Sequence, residues 1–243
     1  MAQGITMCVA AYNERETIVE TIREITRAVE GLPLDAELLL IDDASRDGTE
    51  AFCRQAAALS PIVRAVRNPV NLGFGGVYRR GLELATREWY MALPGDNAYA
   101  WQEIHAMLRL VGEADMVVPY TANLGSRRLS RRWLSRAFTR VMNRISGHRL
   151  RYYNGPVIHR TDALRELGDV TSSFAFQAEI LCRRLNRGAS FVEVGVQVRE
   201  SRDRKSSALR PKNVVNVAKT LWRLSRTSRQ TAADSATPAR CSR

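Results

Sequence analysis

The chain has 243 residues, 45% of them hydrophobic and 26% charged, with a formal net charge of +12. That is enough apolar content for one full α/β domain. No run of about 18 apolar residues occurs and the N-terminus lacks a basic leader, so neither a membrane span nor export is encoded and a cytoplasmic location is expected.

The cysteines at 8, 53, 182 and 241 have no C-x-x-C spacing, and His105, His148 and His159 have no ligand spacing. This pattern speaks against a zinc site and a disulfide framework. The positive charge is concentrated. Residues 116–161 hold ten arginines and no acid, and residues 204–233 hold eight Lys or Arg and no acid, so the rest of the chain is mildly acidic. Such segments suit nucleic acid, an anionic membrane surface or phosphorylated substrates, and charge alone does not choose.

Taken in order, the hydrophobic pattern predicts a strand over 4–12 and a helix over 13–31, with Asn13 and Glu16 as a capping box. A strand over 36–42 and a helix over 47–59 follow, then a strand over 62–68 and a helix over 75–85. A strand over 88–93, a helix over 101–111 and a strand over 114–120 complete the series. Such alternation with short links implies a mostly parallel sheet covered on both faces, whose ligands sit beyond the carboxyl ends of the strands. The tail over 228–243 is rich in Ser, Thr, Ala and Arg and is expected to be disordered.

The chemistry-bearing motifs follow strands, as that rule requires. In "IDDASRDGT", Asp42 and Asp43 can accept hydrogen bonds from a base or ribose, while Ser45, Asp47 and Thr49 read as turn and capping residues. "NLGFGGVYRRG" has the glycines of a phosphate loop, Gly73, Gly75 and Gly76, which tight packing explains equally well. In "LPGDN", Asp96 is placed to ligate Mg²⁺ or Mn²⁺ on a substrate diphosphate and Asn97 to add an oxygen; a turn without chemistry is the rival reading.

The order "AAYNE", "IDDASRDGT", "NLGFGGVYRRG", "LPGDN" resembles the inverting family 2 glycosyltransferases of GT-A fold over roughly residues 4–200. The resemblance implies a Rossmann-like domain over 1–203, with 1–120 binding a nucleoside-diphosphate sugar and 121–203 facing the acceptor. It further implies a donor site of Ala11, Tyr12, Glu14, Asp42, Asp43, Asn71, Gly73 and Gly95, and Mg²⁺ or Mn²⁺ on Asp96 and Asn97. Pro94 replaces the first Asp of the family's D-x-D motif, so one carboxylate is missing.

"SFAFQAEILCRRLNRGASFVEVGVQVRE" resembles the family segment with an acceptor-side acid, here Glu179, followed by a returning strand. Two basic segments resemble those of the dolichol-phosphate mannosyltransferase-like subgroup, which glycosylates polyprenyl phosphates. That likeness implies acceptor contacts at Arg131, Arg132, Ser135, Arg202 and Lys205, with Gly155 also matching. A hydroxyl acceptor is the alternative and would need a base, for which Glu179 is the candidate.

Physics bears on the acceptor separately. Leu129, Trp133, Leu134, Ala137, Phe138, Val141, Met142 and Ile145 form an apolar stripe among arginines, and 204–227 repeats the theme as a basic helix. A basic amphipathic helix can lie in a membrane interface, or its stripe can pack on the sheet. The expected location is peripheral, on the inner face of the membrane, either alone or beside a separate integral membrane protein. A nucleic-acid-binding protein would leave the strand-end motifs without purpose, so nucleic acid is not an expected partner. A catalytically silent nucleotide-sugar-binding subunit would account for Pro94.

Overall fold

A computed structural model describes residues 3–123, 129–168, 170 and 175–199. The elements in chain order are β1 (Gln3–Ala11), α1 (Ile18–Val29), β2 (Leu34–Asp42), α2 (Thr49–Leu59), β3 (Val63–Arg67), α3 (Gly73–Leu84) and β4 (Trp89–Pro94). They continue with α4 (Trp101–Leu108), β5 (Met116–Thr121), α5 (Leu129–Ser146), β6 (Ile158–Arg160), α6 (Thr161–Arg165), α7 (Phe176–Asn186) and β7 (Phe191–Val196). The expected basic helix over 204–227 and tail over 228–243 lie outside the described residues.

The seven strands form one sheet in the order β3-β2-β1-β4-β6-β5-β7. All pairings are parallel except those of β6, which runs against β4 and β5. Nothing in the sequence flagged β6, because three residues, Ile158, His159 and Arg160, are too short to show a period.

Side chains alternate across each central strand, so one run of apolar residues feeds two cores. Ile5, Met7 and Val9 join Leu38, Leu40, Met91 and Leu93 beneath α1 and α4. Cys8, Leu39, Ile41, Tyr90 and Ala92 face the other way, toward Val77 and Tyr78 of α3 and Phe176 and Ile180 of α7. A third cluster joins Met116 and Val118 of β5 to Met142 of α5 and Leu181 of α7. Cys8, Cys53 and Cys182 are buried thiols in these cores.

The apolar stripe of α5 is divided between a packed side and an exposed side. Met142 is buried, with Phe138 and Ile145 packed beside it, while Trp133 at 64% exposure and Val141 at 43% face outward. Ala137, Arg136, Arg140 and Arg144 share the exposed surface. Among the described residues no helix is long and apolar enough to cross a membrane.

One buried acid ties the far end of the sheet together. Glu37 on β2 accepts hydrogen bonds from Thr6 Oγ1 on β1 (2.6 Å), from Thr86 N and Oγ1 (3.1 and 2.9 Å), and from Arg64 Nη1 on β3 (2.8 Å). Burial alone would raise its pKa, but these donors and the Arg64 charge outweigh burial and hold it below the usual carboxylate range. The depressed value means that Glu37 stabilises the fold fully above its unfolded pKa of about 4.3 and progressively less as pH falls through the folded value. Glu37→Ala should therefore cost about 2 kcal/mol in urea unfolding at pH 7. The gap to wild type should shrink in acid; a gap independent of pH would contradict this role.

Candidate active site at the strand ends

The strand order reverses between β1, whose other neighbour is β2, and β4, and the chain ends of those strands form the crevice where ligands of open α/β sheets bind. The turn after β4 enters it. Gly95 N donates to Ala10 O at 2.8 Å, continuing the ladder one step beyond the strand. A Cβ at Gly95 would stand 3.1 Å from that oxygen and 3.3 Å from Ile18 Cδ1, so a side chain there would press on β1 and α1, and glycine lets the turn approach this closely without displacing them. Gly95 O in turn accepts from Thr17 and Thr21 Oγ1, each at 2.9 Å. Asp96 follows, half-buried at the crevice.

The loops after β1 and β2 are stapled to each other. Asn13 N donates to Ser45 Oγ (3.0 Å), Glu14 N to Thr49 Oγ1 (2.9 Å) and Arg15 N to Asp47 Oδ2 (3.0 Å), while Arg46 N donates back to Asn13 Oδ1 (2.9 Å). This arrangement corrects two expectations. Asn13, at φ 55°, forms no capping box with Glu16, and α1 begins only at Ile18. Ser45 spends its hydroxyl on the neighbouring loop; Asp47 and Thr49 serve both, for Asp47 Oδ1 also accepts Thr49 N at 3.0 Å and Thr49 Oγ1 at 2.6 Å, the local turn contacts expected of them. Ala11 is buried at the end of β1, Tyr12 stands 47% exposed at the rim, and Glu14 Oε2 lies 2.9 Å from Thr17 Oγ1, competing with Gly95 O for its single proton.

The two adjacent aspartates separate by role. Asp43 accepts from Leu72 N (2.9 Å), Gly73 N (2.8 Å) and Asn68 Nδ2 (2.6 Å), and Asn71 Nδ2 donates to its main-chain oxygen. Asp43 thus holds the N-terminus of α3, where a carboxylate is favoured by the exposed amides and the helix dipole. Two of the amides that a phosphate loop would offer, Leu72 N and Gly73 N, are taken by Asp43; Gly73 adopts φ 68° in open space, and only at Gly76 do close neighbours support the packing reading. A Cβ at Gly76 would stand 2.5 Å from Leu72 Cβ. Asp42 is equally buried, yet its Oδ1 accepts no hydrogen bond among the described residues; its Oδ2 accepts from Ser45 N at 3.3 Å. Of the pair, Asp42 keeps spare acceptor capacity.

The remaining candidates disperse. Asn97 Oδ1 lies 2.5 Å from Arg199 Nη1, which disfavours it as a cation ligand. Glu179, in the first turn of α7, is 2% exposed and 3.6 Å from Arg183 Nη1. Ser135 is half-buried on α5, where Arg131 and Arg132 also lie, with side chains outside the described residues. Arg202 and Lys205 lie outside the described residues altogether. Gly155 packs on β5, with Pro119 O 3.0 Å from where its Cβ would be. The described residues contain no group of three or more His, Cys, Asp or Glu able to hold a metal. One carboxylate, Asp96, still fits a Mg²⁺-like ion that brings its other oxygens from a substrate diphosphate and water.

Asp43→Ala should lower unfolding stability by about 2–3 kcal/mol through loss of the α3 cap, measured by urea denaturation without ligand. An unchanged midpoint would contradict the capping role.

Comparison with known proteins agrees with this geometry. Residues 6–169 match the family described as glycosyl transferase family 2. An undecaprenyl-phosphate mannosyltransferase of Micrococcus luteus is 26% identical, covering 89% of this chain and 92% of that protein. A polyprenol monophosphomannose synthase of Mycolicibacterium smegmatis is also 26% identical, covering 82% and 78%. Against an undecaprenyl-phosphate 4-deoxy-4-formamido-L-arabinose transferase of Pseudomonas syringae, 27% identical, 87% of this chain spans 63% of the relative. In three dimensions, glucosyl-3-phosphoglycerate synthase of Mycobacterium tuberculosis with UDP superposes with a TM-score of 0.72 at 21% identity, covering 91% of this chain and 80% of that one. A mannosyltransferase of Pyrobaculum calidifontis with GDP-Man and Mn²⁺ gives 0.61 at 16% identity, covering 96% and 76%. These are GT-A folds, and the strand-end crevice, the strand order and the matched residues together place this chain in glycosyl transferase family 2.

Proposed function

We propose that the protein transfers a sugar from a nucleoside-diphosphate sugar to a polyprenyl phosphate at an anionic membrane surface, with inversion at the anomeric carbon. The observation that carries this reading is the match over nearly the full length of this chain and of a transferase named for undecaprenyl phosphate. The solved neighbours named with UDP or with GDP-Man and Mn²⁺ support the donor class and a divalent cation without choosing the nucleotide.

On this reading the nucleoside lies beside Ala11 and Tyr12, and its N–H or O–H groups satisfy the buried Asp42 Oδ1. The diphosphate reaches Asp96. A divalent cation held there would offset the charge that grows on the departing diphosphate. An acceptor phosphate oxygen attacks the anomeric carbon as the bond to the diphosphate oxygen breaks, and the nucleoside diphosphate leaves with that electron pair. A phosphate monoester, with its second pKa near about 6, arrives ionised, so no strong base is required. The burial of Glu179 beside Arg183 supports a structural role for that acid.

The outward face of α5 supports membrane contact. Trp133 and Val141 can enter the interface while Arg136, Arg140 and Arg144 meet anionic headgroups. At about 1 kcal/mol per arginine, replacing all three by Gln should weaken binding to anionic vesicles by about a hundredfold in sedimentation. Equal binding of variant and wild type would remove α5 from the docking surface.

The reaction itself is tested with UDP-, GDP- and dTDP-sugars, Mg²⁺ or Mn²⁺ and a short polyprenyl phosphate, following both nucleoside diphosphate and glycolipid. Glycolipid should form with one donor, fall at least a hundredfold in Asp96→Ala, and persist within a few-fold in Glu179→Gln. Transfer that survives Asp96→Ala would remove that residue from the mechanism. A collapse of kcat in Glu179→Gln would favour a hydroxyl acceptor and a general base.

A further inference from the structure

The residues after β7 form a strap along the turn after β4. Gln197 N donates to Glu103 Oε2 on α4 (2.9 Å). Val198 exchanges hydrogen bonds with the Asn123 side chain at 3.1 and 3.0 Å, and Arg199 N donates to Ala98 O at 2.9 Å. The Arg199 guanidinium then forks. Nη1 donates to Asn97 Oδ1 at 2.5 Å and Nη2 to Glu24 Oε1 on α1. The other oxygen of Glu24 accepts Trp101 N, the first amide of α4, at 2.6 Å.

We propose that Arg199 is a positioning residue that fixes the Asp96 turn for donor binding. The turn is held at Gly95 O by Thr17 and Thr21, at Asn97 N by Thr21 Oγ1 (2.9 Å), and at Trp101 N by Glu24. Asp96 lies inside this frame. Its neighbour Asn97 adopts φ 53°, a left-handed conformation that asparagine tolerates better than most non-glycine residues, and its contacts select it here. Arg199 is the contact on the Asn97 side chain, and it also compensates the buried Glu24 carboxylate that anchors the other end of the turn. A planar fork with two separate acceptors suits arginine; a lysine ammonium would reach them as a point charge. The same strap joins the last strand of the acceptor side to the turn that meets the donor, so the two halves of the site share one latch.

The test compares Arg199→Ala, Arg199→Lys and wild type by amide hydrogen exchange at Asn97 and Trp101 and by Mn²⁺-dependent binding of UDP and GDP. Arg199→Ala should speed exchange at both amides at least tenfold while β1 and β2 amides stay protected. It should also raise the Mn²⁺ concentration needed for half-maximal nucleotide binding at least tenfold, with Arg199→Lys in between. Asn97→Gly, which keeps the turn conformation and the Arg199–Glu24 pair, should raise the Mn²⁺ requirement in the same direction and guards against an unfolded Arg199→Ala. Unchanged exchange would overturn the latch. Faster exchange with a Mn²⁺ requirement within twofold of wild type would overturn the positioning role and leave the transferase reading intact. If the wild type binds neither nucleotide, the positioning role falls together with the donor assignment on which it rests.

Discussion

Gly95 donates its amide to the Ala10 carbonyl at a point where a side chain would crowd Ala10 and Ile18, and the arrangement of the crevice follows from that approach. It brings the turn after β4 against the end of β1 at the reversal of strand order, where loops diverge and leave an opening. Pro94 contributes to the same geometry. It pairs with Ala10 in register, but β6 meets β4 only at Trp89 and Tyr90, so the missing amide of Pro94 has no strand to disappoint on that side. The chain gives up a carboxylate at this position and gains a stiff entry into the turn.

Around that turn, hydroxyls and amides rather than apolar contacts fix the loops. Ser45, Thr49 and Asp47 hold the loop after β1, and Thr17 and Thr21 hold the loop after β4. Each bond adds only about 1 kcal/mol net, but loops bound at several points along their length are preorganised for a ligand. A nucleotide meeting this crevice would find the backbone set, with Asp42 and Asp96 offering their oxygens from two different strand ends.

Much of this was legible in the sequence because it depends on local pattern. The alternation of apolar strands and amphipathic helices gave the first five strands within two residues, and the rule that ligands sit beyond strand ends located Asp96 without coordinates. What escaped depends on long-range partners. Asp42 and Asp43 are chemically identical neighbours, and only the position of α3 decides which of them is a cap. Asn13 looks like a helix cap until the loop after β2 claims its side chain. Arg199 is 102 residues from Asn97 and 175 from Glu24, and in a chain rich in arginine no spacing marks it out.

The central claim is that Asp96, presented at the β1–β4 reversal, is the protein's contact with the donor diphosphate and its cation. A crystal grown with Mn²⁺ and the preferred nucleoside diphosphate, with data collected at a wavelength where manganese scatters anomalously, tests it most directly. The account predicts an anomalous peak bonded to the Asp96 carboxylate and to diphosphate oxygens, with the base or ribose against Asp42. A nucleotide bound in that crevice with manganese held away from Asp96, or a nucleotide bound elsewhere on the protein, would contradict it.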